Sequence, residues 1–489
     1  MPNIELAEQY FQQGNFVKAG QVYQQMLMND KHDISALWGL GNVAIATNSY
    51  QRAYDIFQRC ISLNAQSPQL YLSSAQACIH LTLFKQAEQL LIKAYQLNPK
   101  LTSTLFKLAT FYCESGNYEE CCKYIEEWRI IEPDSISAFG LLVRLNKLSL
   151  GDDQNIDYIT RMQLKLNDSF EQITKQQQIT LNYSFAELNH KAKQYNKAFS
   201  YFERANNLQR ASIDFSVNDM KSYFKSLINV FDQSLFETYQ TLKNEEKIQH
   251  SLTPIFIVGQ PRTGSTLLEQ MLLGHEKISS GGELAFLAGD IAQGIYQLTG
   301  KEFPEACSLL NSTQCDQLAA HYLKNLQTLD PSANYIIDKM PANFQSIGLI
   351  KMLMPHAKVI HITRDPIDVS WSIFRNNFES LEPYFCSLPE IAQYHQLYQS
   401  VMAHWEEVIP DFFHTVSYDN LVSNPEKEIK NILSFCQLDF QDNCLGFSQE
   451  TRHIRTLSDV QLREGIVNNR TNSWLPYKAF LKPLFDALN

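Results

Sequence analysis

Arg262, Lys339 and Arg364 each follow a short apolar run, and each has polar or hydroxyl residues close behind it. Arg262 opens Arg-Thr-Gly-Ser-Thr266, Lys339 sits in Asp338-Lys-Met-Pro341, and Arg364 begins a stretch that ends at Ser372. A single Arg after a strand is usually a surface residue. Cations at successive strand ends, beside a glycine-bounded loop, make an anion site. The loop runs Gly259-Gln-Pro-Arg-Thr-Gly-Ser-Thr266. Its glycines have the spacing of the nucleotide loop G-x-x-x-x-G-K-[ST], but Ser265 fills the Lys position and Arg262 is the loop's cation. A loop that enters a helix offers backbone N–H groups and the positive helix end to a phosphate or sulfate. Without the Lys that reaches β- and γ-phosphates, a degenerate triphosphate loop is the weaker reading.

These residues need a scaffold. Apolar runs at 255–258, 335–337, 359–363 and 415–418 alternate with helical stretches. That pattern predicts a parallel sheet with helices on both faces. Ligands on such sheets bind at the carboxyl ends of the strands, where the three cations fall.

Taken in order, these stretches resemble the sulfotransferases that use 3′-phosphoadenosine 5′-phosphosulfate (PAPS). The likeness is greatest to the branch that includes tyrosylprotein sulfotransferases and bacterial repeat-fused enzymes. It covers residues 253–484 and rests on the loop, on 338–344, on 364–372, on Ala403-His-Trp405 and on Tyr418-Asp-Asn-Leu-Val422. The resemblance implies that Arg262, Thr263, Gly264, Ser265 and Thr266 hold the 5′-phosphosulfate through N–H and hydroxyl donors. It implies that Arg364 and Ser372 hold the 3′-phosphate, and that Tyr418 lies near the cofactor. Ser458 and Arg463 resemble a C-terminal loop that closes over it. The implied catalytic set is Glu283, Lys339, Arg262 and Ser458, acting by in-line displacement at sulfur. Glu283, in Ser280-Gly-Gly-Glu-Leu284, matches the family's base, and Lys339 would stabilise charge on the transferring group. A carboxylate of ordinary pKa is a weak base for a phenol, so burial of Glu283 would help. PAPS carries no β/γ-phosphate pair, so the loop requires neither the Walker Lys nor Mg²⁺, and no metal is expected. Two positions depart from the peptide-sulfating branch. Ala285 stands where it has Arg, and Gly282 replaces a carboxylate beside the base, which puts an acidic tyrosine peptide in doubt as acceptor.

The N-terminal part repeats every 34 residues: Phe16, Tyr50, Phe84 and Tyr118 hold this spacing. Each is followed at a fixed offset by Ala19, Ala53, Ala87 or Cys121, and then by Tyr23, Phe57, Leu91 or Ile125. This resembles the tetratricopeptide repeat, in which small residues let paired helices approach and large ones fill the neighbouring hole. No such unit buries its own apolar face, so the stack shares one core. A further unit, out of phase, is read at Tyr195, Ala198, Phe202 and Ala205.

The expected architecture is therefore an N-terminal all-α tetratricopeptide solenoid and a C-terminal α/β P-loop-like sulfotransferase domain with a central parallel sheet. The expected boundaries are 1–210 for the repeats, 211–252 for a helical linker and 253–489 for the catalytic domain. A net charge of −11 argues against general nucleic-acid binding. The first residues have no basic start and no apolar core, and no run is long enough to span a bilayer, so a cytoplasmic protein is expected. The ten cysteines are scattered without C-x-x-C, which favours reduced thiols over disulfides or a metal site. The expected partner is a protein or peptide acceptor bound by the repeats, which would alternatively brace the catalytic half. The competing functions are a non-catalytic repeat scaffold with a relic nucleotide domain, and a P-loop kinase.

Overall fold

The computed structural model describes residues 3–47, 49–63, 66–81, 83–168, 170–242, 252–378, 382–446 and 471–488. Contacts divide the chain into one unit covering Met1–Leu142 and a second that begins at Val143.

In the first unit the 34-residue landmarks have a simple meaning. Phe16, Tyr50, Phe84 and Tyr118 are the first residues of helices Phe16–Asn29, Tyr50–Ser62, Phe84–Leu97 and Tyr118–Ile131. Each pairs with the helix before it. The small residues Ala19, Ala53, Ala87 and Cys121 are fully buried, as are Phe57, Leu91 and Ile125. Burying one such large side chain contributes roughly 1.5–3 kcal/mol, so successive helix pairs hold one another in register.

The second unit is built on five strands: β1 (Thr253–Gly259), β2 (Ile278–Ser280), β3 (Tyr335–Asp338), β4 (Lys358–Thr363) and β5 (Phe413–Ser417). Their order is β2-β3-β1-β4-β5. Every pairing is parallel, with Ile255 opposite Ile337 and Val258 opposite His361. β1 is central, and its residues from Pro254 to Gly259 are all buried. A strand covered on both faces reads as an unbroken apolar run, which is why 255–258 was legible. β2 is too short to show a period and was not anticipated. Because all strands run the same way, the loops after β1, β2, β3 and β4 open at one edge. The chain reverses its direction across the sheet beside β1, so that edge is a switch-point crevice.

Helices Lys175–Lys191, Tyr195–Arg210 and Val217–Val230 share one apolar core with the sheet, through Ala198, Phe202, Phe224 and Phe231 among others. The out-of-phase unit is a repeat-like hairpin, but its outer face is not free. Phe199 and Phe202 pack on Trp371, and Asn206 Nδ2 donates to Phe374 O at 2.8 Å. Arg375 and Glu187 pair at 2.8 Å, and Arg210 and Glu390 at 2.9 Å. The hairpin thus braces helix Pro366–Phe374, which carries Ser372. Among the described residues, no helix is long and apolar enough to cross a membrane.

Candidate active site

The loop after β1 depends on backbone shapes that side chains would obstruct. A Cβ on Gly259 would stand 2.5 Å from Ile362 O, because the loop leaves β1 pressed against the end of β4. Arg262 has φ +71° and Gly264 φ +99°, and a Cβ on Gly264 would lie 2.3 Å from the Tyr418 ring. These left-handed residues turn the chain into helix Ser265–Leu272, all of whose residues are buried. Thr263 Oγ1 donates to Gln260 O at 2.7 Å. Its hydroxyl is thus engaged within the loop, and its expected role narrows to the backbone N–H. Gln260 Oε1 lies 2.6 Å from His395 Nδ1. Burial lowers the His395 pKa to about 4, so the ring is neutral and Nδ1–H donates. Helix Leu388–Val408 therefore fixes the first side chain of the loop.

The end of β4 faces the same loop. Asp365 caps helix Pro366–Phe374 by accepting from the N–H groups of Ile367 and Asp368, and Pro366 fits the first turn. Arg364 leaves the strand just before this cap. Its guanidinium stacks 4.5 Å from the centre of the Tyr418 ring, and its Nη1 is 3.4 Å from Arg262 O. Its Nη2 is 3.9 Å from Asp368 Oδ2. Arg262 Nε donates to Ser372 Oγ at 2.9 Å. The two arginines, Ser372 and Tyr418 are thus brought together, with their donor groups beside a helix N-terminus.

A second cluster lies across β3. Lys339 Nζ donates to Glu283 Oε1 at 2.6 Å and lies 4.0 Å from Glu269 Oε2. The Lys339 side chain is 2% exposed and that of Glu269 7%, whereas Glu283 is 46% exposed. Burial works against the Lys339 charge, yet the two carboxylates outweigh it and hold the ammonium above its ordinary pKa. Burial also pushes the Glu269 carboxyl up, against the pull of Lys339 and Ser280. Ser280 Oγ donates to Glu269 Oε1 at 2.5 Å and accepts from Gly282 N–H at 2.9 Å. Lys339 N–H donates to Gly282 O at 2.8 Å. The neighbouring Asp338 is fully buried, and burial raises its pKa to about 7, with hydrogen bonds from the Tyr322 hydroxyl and the Asn343 amide acting in the other direction.

The anticipated residues Arg262, Gly264, Arg364, Ser372 and Tyr418 gather at one place, and Glu283 and Lys339 touch. Ser265 and Thr266 begin the buried helix. Glu283 is 46% exposed, so burial does not give it the help a weak base would need; the carboxyl of its neighbour Glu269 is buried. Ser458 and Arg463 lie outside the described residues. His361 is buried beside Tyr398 and Thr415, and Trp405 Nε1 donates to Phe344 O at 2.9 Å. Glu269, Ser280 and the Gln260–His395 pair were missed. The available signal for Glu269 was one acid among Leu267, Leu268, Met271 and Leu272 in a short apolar helix.

Residues 254–442 match the sulfotransferase family, and residues 34–67 match a tetratricopeptide repeat. An uncharacterized protein of Aquifex aeolicus is 28% identical over 86% of this chain and 54% of its own length. Protein-tyrosine sulfotransferase 1 of Danio rerio is 24% identical over 39% of this chain and 55% of its own. The chain spans about half the length of these curated relatives. Among solved structures, the sulfotransferase domain of the Synechococcus PCC 7002 olefin synthase is 22% identical at a TM-score of 0.33, covering 48% of this chain and 91% of that one. Residues 254–442 thus form a sulfotransferase-family domain, carried in one chain with a helical region that contains a tetratricopeptide repeat.

Proposed function

We propose that the chain transfers the sulfuryl group of PAPS to an acceptor hydroxyl. One observation carries the reading: Arg262, Arg364 and Ser372 converge on one loop while Glu283 and Lys339 meet at the adjoining strand ends. A second arginine and a serine carried by the neighbouring strand and its helix offer a phosphate site beyond the loop itself. A nucleotide with phosphates on both its 5′ and 3′ positions would use both.

In this reading PAPS supplies an activated sulfuryl group when bound. The N–H groups from Thr263 to Thr266 and the Arg262 guanidinium bind its 5′ end, and Arg364 and Ser372 bind its 3′-phosphate. Tyr418 holds the Arg364 plane by stacking. Glu283, exposed enough to meet an acceptor, takes the hydroxyl proton as that oxygen commits to sulfur. Lys339 places its charge where negative charge gathers. The protein tyrosine named for the Danio rerio relative is the first acceptor to test. The repeats are the proposed contact for a protein or peptide acceptor, as such arrays present concave binding faces.

The test is calorimetric binding of 3′,5′-bisphosphoadenosine, with ATP and AMP as controls and Arg364→Ala as a second protein. The expected result is tight binding that prefers the bisphosphate and weakens in the variant. A preference for ATP, or no binding, overturns the proposal.

A further inference from the structure

Lys339 faces a difficulty that Glu283 alone cannot resolve. Its side chain is 2% exposed and its ammonium bonds Glu283 at 2.6 Å. Once Glu283 has taken the acceptor's proton, that carboxylate is neutral. A buried ammonium without a counter-charge would lose its proton or shift, just when its charge is needed. Glu269 is the second carboxylate within reach, at 4.0 Å on a 7% exposed side chain. Its other oxygen is held by Ser280, whose hydroxyl also receives the Gly282 N–H. Glu269 therefore faces the lysine at ion-pair distance and bonds the turn that presents the base.

We infer that Glu269 is a positioning residue for sulfuryl transfer, the standing counter-charge that keeps Lys339 protonated and in place while Glu283 accepts the proton. The inference rests on the roles proposed above for Glu283 and Lys339. The proton moves from the acceptor oxygen to Glu283 Oε, and the acceptor oxygen's electron pair forms the new bond to sulfur. The bond from sulfur to the bridging oxygen breaks, and its electron pair leaves with the bisphosphate. Lys339 and Glu269 exchange no proton. The cluster then passes from two carboxylates around one ammonium to one carboxylate and one ammonium. The fall in like-charge repulsion as Glu283 becomes neutral favours ionised Glu269, so the pair improves as the reaction proceeds. Among the described residues, the charged or titratable groups bearing on this cluster are Glu283 and Lys339 themselves, Asp338, and Tyr322 through Asp338.

The experiment uses the full chain and Glu269→Gln, which keeps the shape and an oxygen for Ser280 but removes the charge. The expected fall in kcat is roughly 10–100-fold, a part of the ~10²–10⁴ that positioned acid–base groups supply. KM and bisphosphoadenosine affinity should stay near wild type. In ¹⁵N-lysine-labelled protein, the Lys339 Nζ signal, assigned by its loss in Lys339→Arg, should titrate at lower pH. Glu269→Asp, which keeps the charge, should leave the Lys339 titration near that of the wild type. Wild-type kcat with an unmoved Lys339 titration overturns the inference, as does loss confined to KM. If the wild-type chain transfers no sulfuryl group, the functional reading fails; the Lys339 titration still decides whether Glu269 holds its charge.

Discussion

Arg262 Nε and Ser372 Oγ stand 2.9 Å apart although 110 residues separate them in the chain. The bond ties the loop after β1 to the helix after β4, so the two ends of the proposed ligand are read by connected groups. Removing the arginine should weaken bisphosphoadenosine binding about 10–100-fold, the equivalent of ~1.5–3 kcal/mol for a charged hydrogen bond. Ser372→Ala should cost about 2–10-fold. Because the side chains touch, the double variant should depart from the sum of the singles. Calorimetry on the four proteins checks this, and strict additivity would mean that the contact has no part in binding.

Glu283→Gln separates binding from chemistry. The side chain is exposed and lies at the cluster's open end, so its loss should leave bisphosphoadenosine affinity within about threefold. Turnover of a hydroxyl acceptor should fall by ~10²–10⁴. A variant that retains most of its turnover would remove Glu283 from the mechanism.

Asp338 should make stability depend on pH in a direction opposite to most carboxyls. Its pKa is raised to about 7 by burial, above the ordinary ~3.9. Between those values the folded chain holds a proton that the unfolded chain has released. Stability therefore falls as pH rises from about 4 to 7, and the full cost applies above 7. Asp338→Asn keeps an oxygen for Tyr322 and Asn343 without the charge. It should flatten that slope and raise stability at pH 8 by a few kcal/mol, since each pH unit between the folded and unfolded pKa is worth ~1.4 kcal/mol. Urea titrations at pH 5 and pH 8 measure both effects.

Gly264→Ala meets two obstacles, a φ of +99° and the Tyr418 ring 2.3 Å from the new Cβ. A loss of roughly 1–3 kcal/mol in stability is expected, with strongly reduced bisphosphoadenosine binding. Adding Tyr418→Ala should relieve the clash but not the backbone strain, so the double variant should recover stability only in part. Thermal melts of both proteins decide it.

The brace on helix Pro366–Phe374 is testable by chain length. A chain of residues 143–489 keeps the helices that complete the sheet's core and should fold with full bisphosphoadenosine affinity. One of residues 253–489 exposes the faces that Phe202, Phe224 and Phe231 cover, and should aggregate or bind weakly. Within the brace, burial pushes the Glu187 pKa up, but Arg375, aided by His190 and Lys191, brings it below its ordinary value. Its stabilisation is present above the unfolded carboxyl pKa and is lost as pH falls through the folded value. Glu187→Ala should cost ~1–3 kcal/mol at neutral pH and less in acid, as followed by urea unfolding.

What the sequence determined by itself was whatever is written locally. The 34-residue spacing located the first residue of each second repeat helix, because helix pairing is set by residues three and four apart. The apolar run before Gly259 and the glycine spacing placed the loop after the first strand. The family's motifs named Arg262, Lys339, Arg364, Ser372 and Glu283 in advance. Tertiary structure alone decided which charges meet. Glu269 looks from its helix like an ordinary polar position; it becomes a partner of Lys339 only because β2 and β3 bring Ser280 and Lys339 over that helix. The hairpin at 175–210 has repeat-like spacing, yet it joins the sheet's core because Trp371 and Phe374 cover its outer face. Burial and ion pairing depend on neighbours far away in sequence, and local spacing cannot name them.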